Sequence, residues 1–391
     1  MQMVSTDEHD LIRQTAADFI DREVVPHRAE WDRRELVDRS IVKRLGELGI
    51  LGLTLDEEYG GTPADYRSYV LVMEELGRGD SAIRGIVSVS LGLVGKTIAT
   101  FGTEQQKKDY LPGIASGESL SCFGLTEPGV GSDAGNLTAR ATRDGTDYLL
   151  TGEKVFITNG TWADSALVFA RTGGPGPKGV SAFLVPTASQ GFSTREIKGK
   201  LGLRGQATAS LHLDDVRVPA DALLGEEGQG FRIAMAALAK GRMSVAAGCV
   251  GIARGCLESA TDYAKERTQF GKPIASFQLV QALLADTAVE TDAARLLTWA
   301  AAEAAEALAG GGVPASKALD LAASKAKYYA SENAVRAANR CLQVFGGHGY
   351  VDEWPIGKYL RDARVMTLYE GTSQIQQLII GRALTGINAI A

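Results

Sequence analysis

The residues with the clearest potential for chemistry lie near the C-terminus, at positions 369–376 (YEGTSQIQ). Glu370 stands beside Gly371, and a buried carboxylate with a raised pKa can remove a proton from carbon. Gly371 would let another molecule approach the backbone closely. The same string fits a helix N-terminus with Thr372 or Ser373 as the cap. Both interpretations can hold, because a helix N-terminus also favours anionic ligands.

The hydrophobic pattern that must position these residues divides the chain into three parts. Apolar residues recur at helical spacing in the first 120 or so positions. Period-two alternation and short apolar runs predict strands over about 122–225. Helical spacing then returns and predicts helices at about 230–268, 276–309, 315–345 and 372–386, with a turn at 310–314 (GGGVP). We expect an α+β, mostly helical fold: an N-terminal helical domain (1–121), a central antiparallel β-domain (122–229) and a C-terminal four-helix bundle (230–391).

Composition narrows the function classes. A chain of 391 residues with 45% hydrophobic and 23% charged residues is ordinary for a soluble globular protein of two or three domains. The net charge of −6 gives no electrostatic case for nucleic acid or a membrane surface, and we expect no apolar run of the ~18 residues that a membrane span needs. Scattered cysteines and an acidic N-terminus favour a cytoplasmic location. The spacing of Cys and His predicts no metal site.

Together with positions 369–376, five motifs resemble the acyl-CoA dehydrogenase family in order and spacing, over essentially the whole chain. They are 58–61 (EYGG), 124–133 (GLTEPGVGSD), 152–159 (GEKVFITN), 267–274 (RTQFGKPI) and 343–350 (QVFGGHGY). Residues 200–205 (KLGLRG) are most similar to the short-chain, butyryl-like subgroup. The resemblance implies α,β-desaturation of an acyl thioester with FAD as cofactor, and electron-transfer flavoprotein as the electron acceptor.

Positions 129–134 match G-x-G-x-x-A, but a strand-like alternation follows them, whereas a dinucleotide-binding turn needs a helix there. The resemblance instead implies that this segment and 156–158 contact the flavin ring through Phe123, Leu125, Thr126, Gly131, Ser132, Phe156, Ile157 and Thr158. Phe156 replaces the family's usual Trp, so an aromatic face remains without the indole N–H. The implied contacts to the rest of FAD are Arg267, Gln269, Phe270, Gln278, Gln343, Val344, Gly346, Gly347, Thr372 and Gln374. In the family many of these come from a neighbouring subunit, which implies a homotetramer built as a dimer of dimers.

By resemblance, Glu370 is the catalytic base. Some relatives carry the base on a helix just before an arginine, but that position is Gly241 here, before Arg242. The implied thioester contacts are Ser132, Arg242, Tyr369 and Gly371. A dioxygen-using oxidase stays open, although such relatives are usually much longer chains.

Two departures from the family pattern concern the substrate. Ala239 stands where an Asp or Asn usually helps to hold CoA, so an acyl-carrier-protein thioester in a biosynthetic pathway is the alternative substrate. Arg84 stands where plain fatty-acyl relatives have a small residue, with Ser88 one helical turn later. Relatives that act on dicarboxylic thioesters, such as glutaryl-CoA dehydrogenase, have this arginine. Because an apolar helix carries an arginine only at a cost unless it is paired, its partner is a substrate carboxylate or a nearby Asp or Glu.

Overall fold

The computed structural model describes residues 6–309 and 313–389, and helices form both ends of the chain. Short polar side chains begin several of the N-terminal helices: Thr6 and Thr103 each cap a helix in a capping box, and Asp80 accepts the N–H of Ala82. These helices are α1 Asp7–Phe19, α2 Arg28–Arg34, α3 Ser40–Glu47, α4 Tyr66–Gly79, α5 Ser81–Val87, α6 Lys96–Phe101 and α7 Glu104–Ser116. A π-helical segment, Ser88–Gly95, joins α5 to α6.

The middle of the chain forms a seven-stranded sheet in the order β1-β4-β2-β3-β7-β6, with β5 also paired to β4. Its strands are β1 Ser121–Gly124, β2 Arg140–Asp144, β3 Asp147–Thr158, β4 Ser165–Arg171, β5 Val180–Pro186, β6 Phe192–Glu196 and β7 Thr208–Val218. Most pairs are antiparallel, as expected, but β1 runs parallel to β4 and β2 meets β4 in parallel at one position. The sheet is therefore mixed. Alternation along a strand does not reveal its partner's direction, so the sequence could not predict this pairing.

The C-terminal part is helical again, after a short hairpin of β8 Thr268–Gln269 and β9 Lys272–Pro273. Its helices are α8 Gly230–Glu266, α9 Gln278–Ala309, α10 Val313–Phe345, α11 Ile356–Met366 and α12 Ser373–Thr385. The four predicted helices agree with α8, α9, α10 and α12 within a few residues, but α11 was not predicted. The predicted turn at 310–314 lies largely outside the described residues. Helix α10 contacts α8, α9, α11 and α12 and forms the centre of this part. The mostly helical α+β fold class is confirmed, while the three domain boundaries stay a prediction.

Two helical stretches, Ser81–Phe101 and Gly230–Glu266, are long and apolar enough by composition to cross a membrane. The expectation that no segment reaches this length and hydropathy is wrong for them, because an average over a window tolerates isolated charges such as Arg84. However, 94% and 78% of their most apolar windows are buried inside the protein. This burial is typical of core helices, and both stretches supply side chains to the cavity described next.

Candidate active site

A cavity of about 670 Å³ lies between the sheet, helices α5 and α8, and the chain segment that joins α11 to α12. This volume is within the usual range for small-molecule and cofactor sites. Side chains such as Val89, Leu93 and Leu238 form apolar parts of its wall, and a few polar groups converge on it. Such a lining can exclude water and still orient a ligand through a small number of polar contacts.

The cavity brings together the proposed base, the proposed acyl contacts and the proposed flavin-ring contacts. These lining residues are Arg84, Ser88, Phe123, Leu125, Thr126, Gly131, Ser132, Phe156, Ile157, Thr158, Arg242, Tyr369, Glu370, Gly371 and Thr372. Of the residues proposed to contact the rest of FAD, Thr372 is in this lining. The others are not: Arg267, Gln269, Phe270, Gln278, Gln343, Val344, Gly346, Gly347 and Gln374. The proposed base, acyl contacts and flavin-ring contacts therefore lie together at one cavity of a single chain. Most of the proposed contacts to the rest of FAD lie away from that cavity.

Several lining residues were not predicted from the sequence. Arg364 and Val365 lie on α11, the helix that the periodicity analysis missed, and Leu368 follows it. Lys200 and Leu201 belong to the 200–205 motif, to which the sequence assigned no role in the site. The amphipathic pattern of α11 is a signal for this helix, and its end lies shortly before positions 369–376 in the sequence.

A strained turn positions Glu370. Its φ is 51° and that of Gly371 is 88°, so two consecutive residues adopt left-handed backbone conformations. Helix α12 begins directly afterwards, where the Thr372 hydroxyl accepts the N–H of Ile375. The Gln376 side-chain amide donates to the carbonyl oxygens of Glu370 (3.1 Å) and Gly371 (3.0 Å). The cap and Gln376 thus fix the turn that presents the Glu370 carboxylate to the cavity.

The Glu370 carboxylate is buried beside the cavity. Its Oε2 has no hydrogen-bond partner in the described part of the chain. A Cβ at position 241 would lie only 2.0 Å from Oε2, so Gly241 supplies the space that the carboxylate occupies. Burial raises the pKa of Glu370 to about 7, against the opposing effect of the positive charges of Arg84, Lys327 and Arg242. A carboxylate with this pKa can both hold and release a proton near neutral pH.

Arg84 is a buried cation, and its contacts are few. Its guanidinium donates to the Tyr369 hydroxyl, but no carboxylate forms an ion pair with it among residues 6–309 and 313–389. Its Nε and the Ser88 hydroxyl also have no protein partner in those residues. A Cβ at Gly248 would lie 2.5 Å from Cδ of Arg84, so that glycine makes room for the side chain. The intraprotein ion pair that the sequence left open is not present there.

Arg242 differs from Arg84 in this respect. It forms an ion pair with Asp320 and donates to the Ser324 hydroxyl at 3.4 Å. Its charge is therefore largely compensated inside the protein, although it also lines the cavity.

Most of the chain is similar to the domains of one known protein family. Family models described as the N-terminal, middle and C-terminal domains of acyl-CoA dehydrogenase match residues 6–118, 122–216 and 228–385. The chain belongs to the acyl-CoA dehydrogenase family. It is thus related to flavin-dependent oxidoreductases that act on CH–CH bonds, and the similarity predicted from the motifs is confirmed.

Individual relatives match this chain along nearly its full length. Human mitochondrial short-chain specific acyl-CoA dehydrogenase is 40% identical over 95% of this chain and 89% of its own. The structure of butyryl-CoA dehydrogenase from Megasphaera elsdenii has a TM-score of 0.94 at 38% identity, with 98% and 100% of the two chains covered. Glutaryl-CoA dehydrogenase from Mycobacterium smegmatis has a TM-score of 0.93 at 38% identity, with 99% and 97% covered.

Members of the family bind FAD, and the residues at one side of the cavity fit such a group. Phe156 has a φ of 59° and is 68% exposed, so a strained backbone holds an aromatic ring out of the protein core beside the cavity. A Cβ at Gly131 would meet no atom within 4 Å, which leaves space for a ligand against the backbone. An unpacked aromatic face and an open glycine backbone suit a flat ring system with attached phosphates.

Proposed function

We propose that this chain is an FAD-dependent acyl-CoA dehydrogenase that desaturates a short-chain acyl thioester between its α and β carbons. The observation that carries the proposal is the buried Glu370 carboxylate, whose Oε2 has no partner in the described residues and whose space is left by Gly241. It lines the same cavity as the flavin-type segments around Thr126 and Phe156.

In the proposed reaction Glu370 accepts a proton from the α-carbon, which the thioester carbonyl makes acidic. Bound FAD would supply the acceptor for the hydride that leaves the β-carbon, so that a C=C bond forms. The left-handed turn at Glu370 and Gly371 fixes the carboxylate, because a base must be positioned before it can act. Apolar side chains such as Leu93 and Leu238 exclude water and keep the proton affinity of Glu370 high. Phe123, Leu125, Thr126, Ile157 and Thr158 would hold the flavin ring, with Ser132 and Arg242 beside the thioester.

The test is anaerobic mixing of the purified protein with a panel of acyl thioesters while the flavin absorbance is followed. We expect a yellow protein with about one FAD per chain, as in a single-site flavoenzyme, and bleaching of the flavin band by short-chain thioesters. A colourless protein that cannot be reconstituted with FAD would contradict the proposal. So would a flavoprotein that no thioester bleaches.

We further propose that the acyl group carries a carboxylate at its far end, recognised by Arg84 and Ser88. The support is the buried guanidinium with no acidic partner in the described residues, with the unpartnered Ser88 hydroxyl one turn later on the cavity wall. A buried cation of this kind is costly unless an anion pairs with it. The similar Mycobacterium smegmatis protein is named for a carboxylated acyl group, which agrees with this proposal.

A carrier-protein thioester is a second candidate substrate, favoured by one residue. Ala239 is buried and apolar at the position where the family usually has a polar side chain for CoA. Offering one acyl group both on CoA and on an acyl carrier protein separates the two candidates. Faster flavin bleaching by the carrier-protein thioester would identify the biosynthetic variant.

We propose a homotetramer, a dimer of dimers, in which a neighbouring copy supplies the FAD contacts that do not line the cavity. Phe270 is 92% exposed and Leu279 is 83% exposed, as expected for residues that another chain covers. A monomer that retains full FAD in analytical ultracentrifugation would contradict the proposed assembly.

All four cysteines are buried free thiols, which suits the proposed cytoplasmic location. Electron-transfer flavoprotein is the proposed acceptor.

A further inference from the structure

Lys327 is a buried cation beside the proposed base that no step above uses. It lies on α10 and is completely buried. Its ammonium donates to the carbonyl oxygen of Gly371 at 2.8 Å. No carboxylate lies within ion-pair distance of it in the part of the chain that the structure describes. A lysine is rarely buried in this way because removing its charge from water is costly, so its position calls for a reason.

The contact is with the turn that positions Glu370. Gly371 O accepts from both Lys327 and Gln376, while Glu370 O accepts from Gln376. The left-handed φ values of Glu370 and Gly371 cost free energy that surrounding contacts must offset. Lys327 therefore joins the strained turn to α10, the central helix of the C-terminal part.

The charge of Lys327 also acts on Glu370. The charged and titratable groups that face Glu370 come from several elements: Tyr69 on α4, Arg84 on α5, Arg242 on α8, Lys327 on α10 and the adjacent Tyr369. Asp320 forms an ion pair with Arg242, whereas no carboxylate forms an ion pair with Lys327 in the described residues.

Lys327 itself faces Cys249, Glu370, Arg242 and Glu332. Burial lowers the pKa of Lys327 to about 8, against the opposing effect of Cys249 and Glu370, so the ammonium form still dominates at pH 7.

We propose that Lys327 is a positioning residue for the dehydrogenation, holding the carbonyl of Gly371 and favouring the ionised form of Glu370. The inference rests on the proposed function, because it assigns Lys327 a role in the same proton transfer. Its two effects are separable: the hydrogen bond needs a donor, whereas the electrostatic effect needs a positive charge.

The experiment compares Lys327→Gln, Lys327→Met and the control Lys325→Met in the full-length, FAD-loaded enzyme. Lys325 is an exposed lysine on the same helix. The rate of anaerobic flavin bleaching is measured against pH with one thioester that bleaches the wild type. Both Lys327 variants should shift the acidic limb of this profile upward by about one pH unit, since an opposite charge nearby typically lowers a carboxyl pKa by at least that much. At pH 7 the rate should then fall by about fivefold.

Lys327→Met should also have a lower plateau rate at high pH than Lys327→Gln, because only Gln can still donate to Gly371. Lys325→Met should match the wild type, and FAD content and melting temperature identify any variant that does not fold. If one Lys327 variant does not fold, the position of the acidic limb in the pH profile of the other variant decides whether Lys327 acts on Glu370. An unshifted acidic limb in a folded variant overturns the role of Lys327 while the proposed function stands. A wild type that no thioester bleaches overturns the proposed function and this inference together.

Discussion

Two buried carboxylates, Glu127 and Glu370, differ in how the protein satisfies them. The oxygens of Glu127 accept from the N–H groups of Thr138 and Ala139 (2.7 and 2.9 Å), from the Thr138 hydroxyl and from the Lys154 ammonium (2.8 Å). Burial favours its neutral form, but Lys154 and these hydrogen bonds outweigh burial and lower its pKa. For Glu370, burial dominates and raises the pKa to about 7.

The difference distinguishes a carboxylate that stabilises the fold from a carboxylate that is available for chemistry. Glu127 and Lys154 belong to the two flavin-type motifs, 124–133 and 152–159, and their ion pair holds these segments together. Glu370 and Arg84 instead have atoms without protein partners in the described residues, and both line the cavity. Unsatisfied buried polar atoms are rare in folded proteins, and in the described residues some of them, on Arg84, Ser88 and Glu370, belong to side chains that line this cavity, where we propose that substrate groups bind.

The largest expected effect comes from Glu370→Gln. The flavin-bleaching rate should fall by about 10²–10⁴-fold or more, because the base is lost, while FAD content stays normal. Stability should not fall, since the variant removes a buried ionisable group. Stopped-flow absorbance of the flavin band measures the rate. A variant within about tenfold of wild type would refute the assignment, because base removal costs more than that.

The next effect comes from Arg84→Ala and depends on the substrate. Loss of the guanidinium should lower kcat/KM by about two to three decades for a glutaryl- or malonyl-type thioester, since leaving a buried carboxylate unpaired costs several kcal/mol. Butyryl thioester, which has no carboxylate to pair, serves as the matched control and should change little. A wild type that prefers butyryl thioester over every carboxylated analogue would show that Arg84 does not select the substrate.

For Glu127→Gln we expect the opposite behaviour to that of Glu370→Gln. Breaking the buried pair with Lys154 should lower the free energy of unfolding by about 3 kcal/mol, measured by chemical denaturation, with little change in bleaching rate per bound FAD. Because the folded-state pKa of Glu127 is lowered, its stabilising contribution is present above the unfolded-state pKa. That contribution is lost as the pH falls through the folded-state value. An unchanged stability would mean that the ion pair is not structural.

Short motifs were the most informative part of the sequence, and long-range relations were the least. The string at 369–376 predicted both the base and the cap of α12, and the structure places Thr372 as that cap. Periodicity predicted the long helices but missed α11, and it could not reveal that β1 pairs in parallel with β4.

Lys327 illustrates the limit for the site. It lies 43 positions before Glu370 (370 − 327) in an ordinary helical pattern, so only the tertiary fold brings its ammonium to Gly371. The sequence also could not reveal whether an acidic residue of the protein pairs with Arg84. That pairing depends on contacts between segments that are distant in the sequence.

The pH dependence of flavin bleaching tests most directly whether Glu370 is the catalytic base and whether burial raises the pKa of its carboxylate. The folded-state pKa of Glu370 is raised to about 7, so the reactive carboxylate forms only as the pH rises through that value. Single-turnover bleaching by one thioester should therefore show an acidic limb near pH 7, and any residual rate of Glu370→Gln should lack this limb. A wild-type limb near the ordinary glutamate value of about 4.3, or a limb that persists in Glu370→Gln, would contradict the account.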